Sequence, residues 1–178
     1  MSNQVSDSNP SSVEVSDFKH RSRNRKYMIF TVGQERFATP LSEVKEVIAL
    51  TTITPLPNVP RYFRGLINLR GKIISIMDLR EKLGISSTQE CTRPSIIIVE
   101  IGGVTVGMIV NDVLEVAGVE ESQIERKLDI ANATTRGQIL GAVRFENKPL
   151  TLILDTSKAV DIAELASLRQ ELNQAKAS

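Results

Sequence analysis

The sequence holds no tryptophan, one cysteine (Cys91) and one histidine (His20) among 178 residues, and aromatic residues make up only 4% of it. Each scarcity closes off a class of chemistry. A lone cysteine makes no intramolecular disulfide and, with a lone histidine, no tetrahedral metal cage, which fits a reducing compartment and makes the cytoplasm the expected location. With His20 in a polar N-terminal stretch, no histidine-based triad is available to activate a serine or cysteine nucleophile. Gly102, Gly103 and Gly107 lack the strand-to-helix context of a phosphate-binding loop. No apolar run approaches the roughly 20 residues that span a bilayer, and the opening stretch MSNQVSDSNPSSVEVSD is polar where a signal peptide would be apolar. Charge of one sign is missing too. With 22 basic and 21 acidic residues, net +1, no global field recruits nucleic acid or an anionic membrane. The carboxylate pairs Glu43/Glu46 and Glu120/Glu121 read as solvated faces rather than acid–base machinery. Neither an enzyme nor a resident cofactor is expected.

What remains is an ordinary globular composition, 41% hydrophobic and 24% charged. Its Ile, Leu and Val are concentrated between Ile67 and Leu154, which favours strands. Residues 1–25 carry too few large apolar side chains to offset their ordering entropy, so a disordered tail is expected there, with the basic residues 19–26 as a solvated linker. Order should begin with a hairpin of residues 27–32 and 36–38 around Gly33. Ser42 would cap one helical turn before a strand at 45–49. Residues 54–60, with three prolines in seven, form a stiff loop. Strands at 65–69 and 73–77 flank a turn in which Gly71 supplies positive φ. A short helix begins at Asp78 and stops at Gly84. Further strands are expected at 95–101 and 104–110 around Gly102-Gly103, at 113–118, and at 138–145 and 149–154 around residues 146–148. Asp155 would cap a second short helix. Ile162, Leu165, Leu168 and Leu172, at helical spacing, predict an amphipathic C-terminal helix over 161–178.

About ten short strands without alternating long helices exclude a doubly wound α/β fold and predict an all-β chain of two small five-stranded β-barrels. An internal echo supports two units. Gly65-Leu66-Ile67 followed by residues 74–79 resembles Leu140-Gly141-Ala142-Val143 followed by residues 150–155, and each ends on an aspartate able to cap a helix. The cluster Arg61, Tyr62, Phe63, Arg64 and Arg70 suits either single-stranded nucleic acid, by stacking and charge, or a protein–protein hot spot. The near-zero net charge favours protein.

The run Gly65–Arg80, GLINLRGKIISIMDLR, resembles the signature of the CheW-like family, an Asn-Leu-Arg-Gly turn followed by a strand ending Ile-Asp-Leu-Arg. Residues 27–37 resemble that family's opening hairpin, Val44-Lys45-Glu46-Val47 its Val-x-Glu-Ile strand, and residues 106–116 its Gly-hydrophobic-Val-Asp-x-Val stretch. Ser75 stands where the family commonly has proline, and Asn111 where it commonly has aspartate. The resemblance implies a domain over residues 26–160 built of two intertwined five-stranded, SH3/OB-like barrels with short helices. It also implies a non-enzymatic adaptor that binds the cytoplasmic tip of chemoreceptors and the regulatory domain of the histidine kinase CheA. The family's contact positions fall on Val44, Glu46, Gly65, Asn68 and Arg70. A planar guanidinium on a hairpin tip matches a carboxylate on a preceding strand, so a Glu46–Arg70 pair is expected. Val44 and Ile48 either meet a receptor helix or pack into the core.

Overall fold

The structure, a computed structural model, describes residues 24–86, 93–130, 133–161 and 163–167. The expectations for the N-terminal tail up to residue 23, for His20 and Cys91, and for Ile162, Leu168 and Leu172 lie outside the described residues.

Ten strands form two five-stranded sheets. They are β1 (Asn24–Val32), β2 (Glu35–Pro40), β3 (Val44–Ala49), β4 (Phe63–Leu69), β5 (Lys72–Asp78), β6 (Ser95–Ile101), β7 (Val104–Val110), β8 (Asp112–Glu120), β9 (Ile139–Val143) and β10 (Thr151–Leu154). The first sheet runs β8-β1-β2-β10-β9 and the second β3-β6-β7-β5-β4. Both have the same wiring: an antiparallel hairpin at the centre, β1β2 or β6β7, whose second strand pairs in parallel with β10 or β5. The chain is therefore two five-strand halves that exchange hairpins. Strands β1 and β2 of the first half complete the sheet of the second half, and β6 and β7 do the reverse.

The echo read from the sequence is this repeat. Asp78 Oδ1 accepts hydrogen bonds from the Arg80 and Glu81 amides and so caps the helix Leu79–Leu83, which ends at Gly84 in the left-handed region. Asp155 caps the helix Thr156–Val160 from the equivalent place, accepting from the Lys158 amide. Burial alone would raise the Asp155 carboxyl, but the Ser157 hydroxyl and Lys158 outweigh it and hold it below the usual carboxylate range.

Neither sheet closes into a barrel through a continuous ladder. After β3, Thr54 exchanges two hydrogen bonds with Leu66 of β4, at 2.8 and 2.9 Å. After β8, Glu125 does the same with Ala142 of β9, at 2.9 and 2.8 Å. Each sheet thus curls toward closure and is pinned by one bridge. In the second sheet the reason is chemical: Pro55, Pro57 and Pro60 follow Thr54, and a proline has no N–H to continue a ladder. Two smaller expectations also change. Strand β1 starts at Asn24, three residues before the apolar run, and Ser42 lies inside the 3₁₀ turn Leu41–Glu43 rather than capping it, because Pro40 with φ −55° occupies the cap.

Because β1, β5, β6 and β7 are buried on both faces, their sequences read as near-continuous apolar runs. One face lines a private core: Tyr27, Ile29, Ala38, Val119, Val143 and Ile153 in the first sheet, and Ile67, Ile74, Ile76, Ile96 and Ile98 in the second. The other face, including Phe30, Phe37, Phe63, Met77, Ile97 and Met108, joins the helices in a core shared by both sheets. This shared core holds the two units together without an interdomain linker.

Candidate docking surface

Strand β4 is the free edge of the second sheet, and its hairpin with β5 carries most of the residues singled out from the sequence. A two-residue turn joins them. Arg70 (φ 51°) and Gly71 (φ 84°) are both left-handed, which matches the strand twist in tight hairpins. Asn68 Oδ1 accepts the Gly71 amide at 2.8 Å and locks the turn. Strained into the left-handed region at this tip, Arg70 holds its side chain well into solvent, 76% exposed.

From there the guanidinium reaches the opposite edge of the sheet. Arg70 Nη1 donates to Glu46 Oε1 at 3.0 Å and Nη2 to Glu46 Oε2 at 2.8 Å, the fork-to-fork geometry expected from the sequence. Glu46 belongs to β3, the other free edge, and follows a register shift between Val44 and Glu46 in the pairing with β6. The pair spans the gap that the proline-rich loop leaves in the ladder.

The remaining candidates behave differently. Val44 is half-buried against the shared core and Ile48 against the private core, while Lys45, Val47 and Ala49 form the outward face of β3. Gly65 is buried with φ +135°, and a Cβ there would sit 2.0 Å from the Thr54 carbonyl oxygen. It is the close-approach glycine that admits the Thr54–Leu66 bridge, and it supports the surface from beneath. Ser75, at the position where proline is common in the family, is fully buried in β5. Asn111 accepts the Gly33 amide on Oδ1 at 2.7 Å and ties the β7–β8 connection to the β1–β2 turn.

Two features escaped the sequence reading. Ile73, opposite Asn68 in the β4–β5 register, is 58% exposed, the most exposed of the large hydrophobic residues described. Within the run Ile73–Met77 it looks like core, and only the hairpin's projection beyond the core exposes it. The second is a counterpart of the Glu46–Arg70 pair in the other sheet. Glu115 of β8 accepts from Lys148 Nζ of the β9–β10 loop at 2.6 and 2.7 Å and from Arg36 Nη2 of β2 at 3.0 Å. The repeated pattern Val44-Lys45-Glu46-Val47 and Val113-Leu114-Glu115-Val116 was the available signal. Hydrogen bonds from Lys148 and then Arg36 hold the Glu115 carboxyl below the usual carboxylate range.

Among the described residues no three His, Cys, Asp or Glu side chains gather as a metal site, and no helix is long and apolar enough to cross a membrane. What the surface offers is a pre-ordered ion pair, a locked turn and an exposed isoleucine beside two strand edges.

Comparison with known proteins identifies the family. Residues 26–164 match the CheW-like domain. The chemotaxis protein CheW of Bacillus subtilis is 31% identical over 136 residues, covering 76% of this chain and 86% of that protein. That of Rhizobium meliloti is 30% identical over 129 residues, covering 72% and 83% respectively. The crystal structure of the scaffolding protein TtCheW from Thermoanaerobacter tengcongensis superposes with a TM-score of 0.67 at 32% identity, covering 74% of this chain and 88% of that one. With sequence pattern, hairpin-exchanged sheets and relatives in agreement, the chain belongs to the CheW-like domain family.

Proposed function

We propose that this chain is a chemotaxis coupling scaffold that holds the cytoplasmic tip of chemoreceptors and the regulatory domain of the histidine kinase CheA through surface contacts, with no bond made or broken in the scaffold itself. Family membership supports the role, and the bidentate Glu46–Arg70 pair is the observation that carries its location. A guanidinium already held by Glu46 loses less side-chain freedom on docking, and its outward N–H groups still have donors for a partner's carboxylate or carbonyl. Ile73 adds apolar area next to it. Signal would pass as a difference in contact free energy between receptor states, transmitted to how firmly the kinase is held. The scaffold would act on the cytoplasmic side of receptor arrays.

No observation favours single-stranded nucleic acid. Phe63 is buried in the shared core and Tyr62 lies half-buried under the Lys82 ammonium, so the aromatic cluster offers no stacking platform.

The test is binding of the wild-type chain to purified CheA regulatory domain and to a receptor cytoplasmic fragment, beside Arg70→Glu. Binding by wild type, weakened at least about tenfold in a variant that melts like wild type, is the expected result. Failure of the wild-type chain to bind either partner overturns the proposal, and equal binding by Arg70→Glu removes the docking surface from this pair.

A further inference from the structure

Strand β4, which carries Gly65 and Asn68 and leads into the Arg70 turn, begins beside an arrangement that the docking surface does not use. Tyr62 immediately precedes it. The Tyr62 carbonyl accepts the Asp78 amide at 2.7 Å, which ties the start of β4 to the end of β5 and to the cap of the helix Leu79–Leu83. On that helix, Lys82 places its ammonium 4.0 Å above the centre of the Tyr62 ring. The same ammonium donates to Glu164 Oε2 at 3.0 Å, and the Lys82 side chain is only 12% exposed.

Glu164 comes from far along the chain, in the helical turn 163–167. Asp161 starts that turn by accepting the Glu164 amide on Oδ1 at 3.2 Å, and its carbonyl accepts the Leu165 amide at 3.1 Å. Leu165 is 1% exposed and belongs to the shared core. The Tyr62 hydroxyl is buried without a hydrogen bond of ordinary geometry, and burial together with the neighbouring Glu164 carboxylate pushes it well above the usual phenol range. The ring face is offered to Lys82, and the neutral hydroxyl lies beside the Glu164 carboxylate.

We infer that the turn 163–167 is a clamp on strand β4: Leu165 anchors it in the core, Glu164 fixes Lys82, and Lys82 holds the Tyr62 ring at the root of the β4–β5 hairpin. The clamp sets how firmly the hairpin tip, with Asn68, Arg70 and Ile73, is presented, so these are positioning residues. Glu46, on the other edge, provides one constraint on that hairpin from the tip, and the clamp provides the other from its base. A neighbour that displaces or extends the terminal turn would loosen the docking surface without touching it. The clamp stands on its own geometry, while its effect on docking rests on the reading given under the proposed function.

The experiment is amide hydrogen exchange on the full chain, followed in β4 and β5 and, as an internal reference, in β1 and β2 of the other sheet. Wild type is compared with Glu164→Gln, which removes the ion pair at constant shape, and with Leu165→Ala, which removes the anchor. Expected are exchange rates of β4 amides about two- to fivefold faster in Glu164→Gln and at least about tenfold faster in Leu165→Ala, with β1 and β2 changed less. Rates in β4 that rise no more than those in β1 and β2 overturn the clamp. Affinity of Glu164→Gln for the CheA regulatory domain is measured beside wild type. A two- to fivefold loss supports the link to docking, and a selective rise in β4 exchange with unchanged affinity overturns that link. Should wild type hold no kinase, the docking reading fails and the exchange result still decides the clamp.

Discussion

The two sheets share one wiring diagram and both pin a curled edge with one bridge and one carboxylate, yet they use the carboxylate differently. In the first sheet Glu115 is shared by Lys148 and Arg36, whose side chain is 14% exposed and also donates to the Thr151 hydroxyl at 3.3 Å. In the second sheet Glu46 pairs with Arg70, three-quarters exposed on a hairpin tip, and Thr105 stands where the hairpin equivalence puts the counterpart of Arg36. The same device is folded into the structure on one side and turned outward on the other. On the proposed function, a scaffold with two equivalent halves would thus keep one copy for stability and present the other for contact.

The largest expected break in this symmetry is at the bridge glycines. Gly65→Ala meets the Thr54 carbonyl oxygen at 2.0 Å with φ +135°, whereas Gly141→Ala meets Ile124 Cγ2 at 2.7 Å and the Glu125 carbonyl oxygen at 2.8 Å without positive φ. Urea denaturation should show a loss of about 3 kcal/mol or more for the first and about 1–2 kcal/mol for the second. Next, Glu115→Gln should cost about 1 kcal/mol by the same measurement, because it leaves the partly buried Arg36 guanidinium without its counter-charge. Arg70→Glu should change stability by less than about 0.5 kcal/mol, since its pair is exposed, and should act on partner binding instead. Acid acts on the Glu115 contribution. The folded Glu115 carboxyl titrates below its unfolded value, so its contribution is complete above about pH 4.3 and is lost as pH falls through the folded value. Melting curves of wild type and Glu115→Gln should therefore converge only once the pH has fallen through that lowered folded value.

Much of the architecture was legible because it rests on local chemistry. Asp78, Gly84 and Asp155 announced two capped helices, Gly102-Gly103 and Gly71 announced tight hairpins, and the repeated glycine-apolar pattern announced two equivalent units. Pairing across the sequence was not local, so the exchange of hairpins was foreshadowed only by the intertwined units that the family resemblance implies, and the incomplete closure of each sheet could not be read. The Glu46–Arg70 pair was legible because the family resemblance singled out both positions and their fork and carboxylate geometry match. The exposure of Ile73 was hidden in an apolar run, and the attachment of Glu164 to Lys82 depends on a contact between residues 82 apart in the chain.

The most direct test compares the two copies of the ion pair in one assay: affinity for the CheA regulatory domain measured for wild type, Arg70→Glu and Lys148→Glu, each with its melting temperature. A loss of at least about tenfold in affinity for Arg70→Glu at an unchanged melting temperature, with Lys148→Glu binding like wild type, is the expected result. Equal loss in both variants, or none in Arg70→Glu, would contradict the assignment of contact to the outward pair.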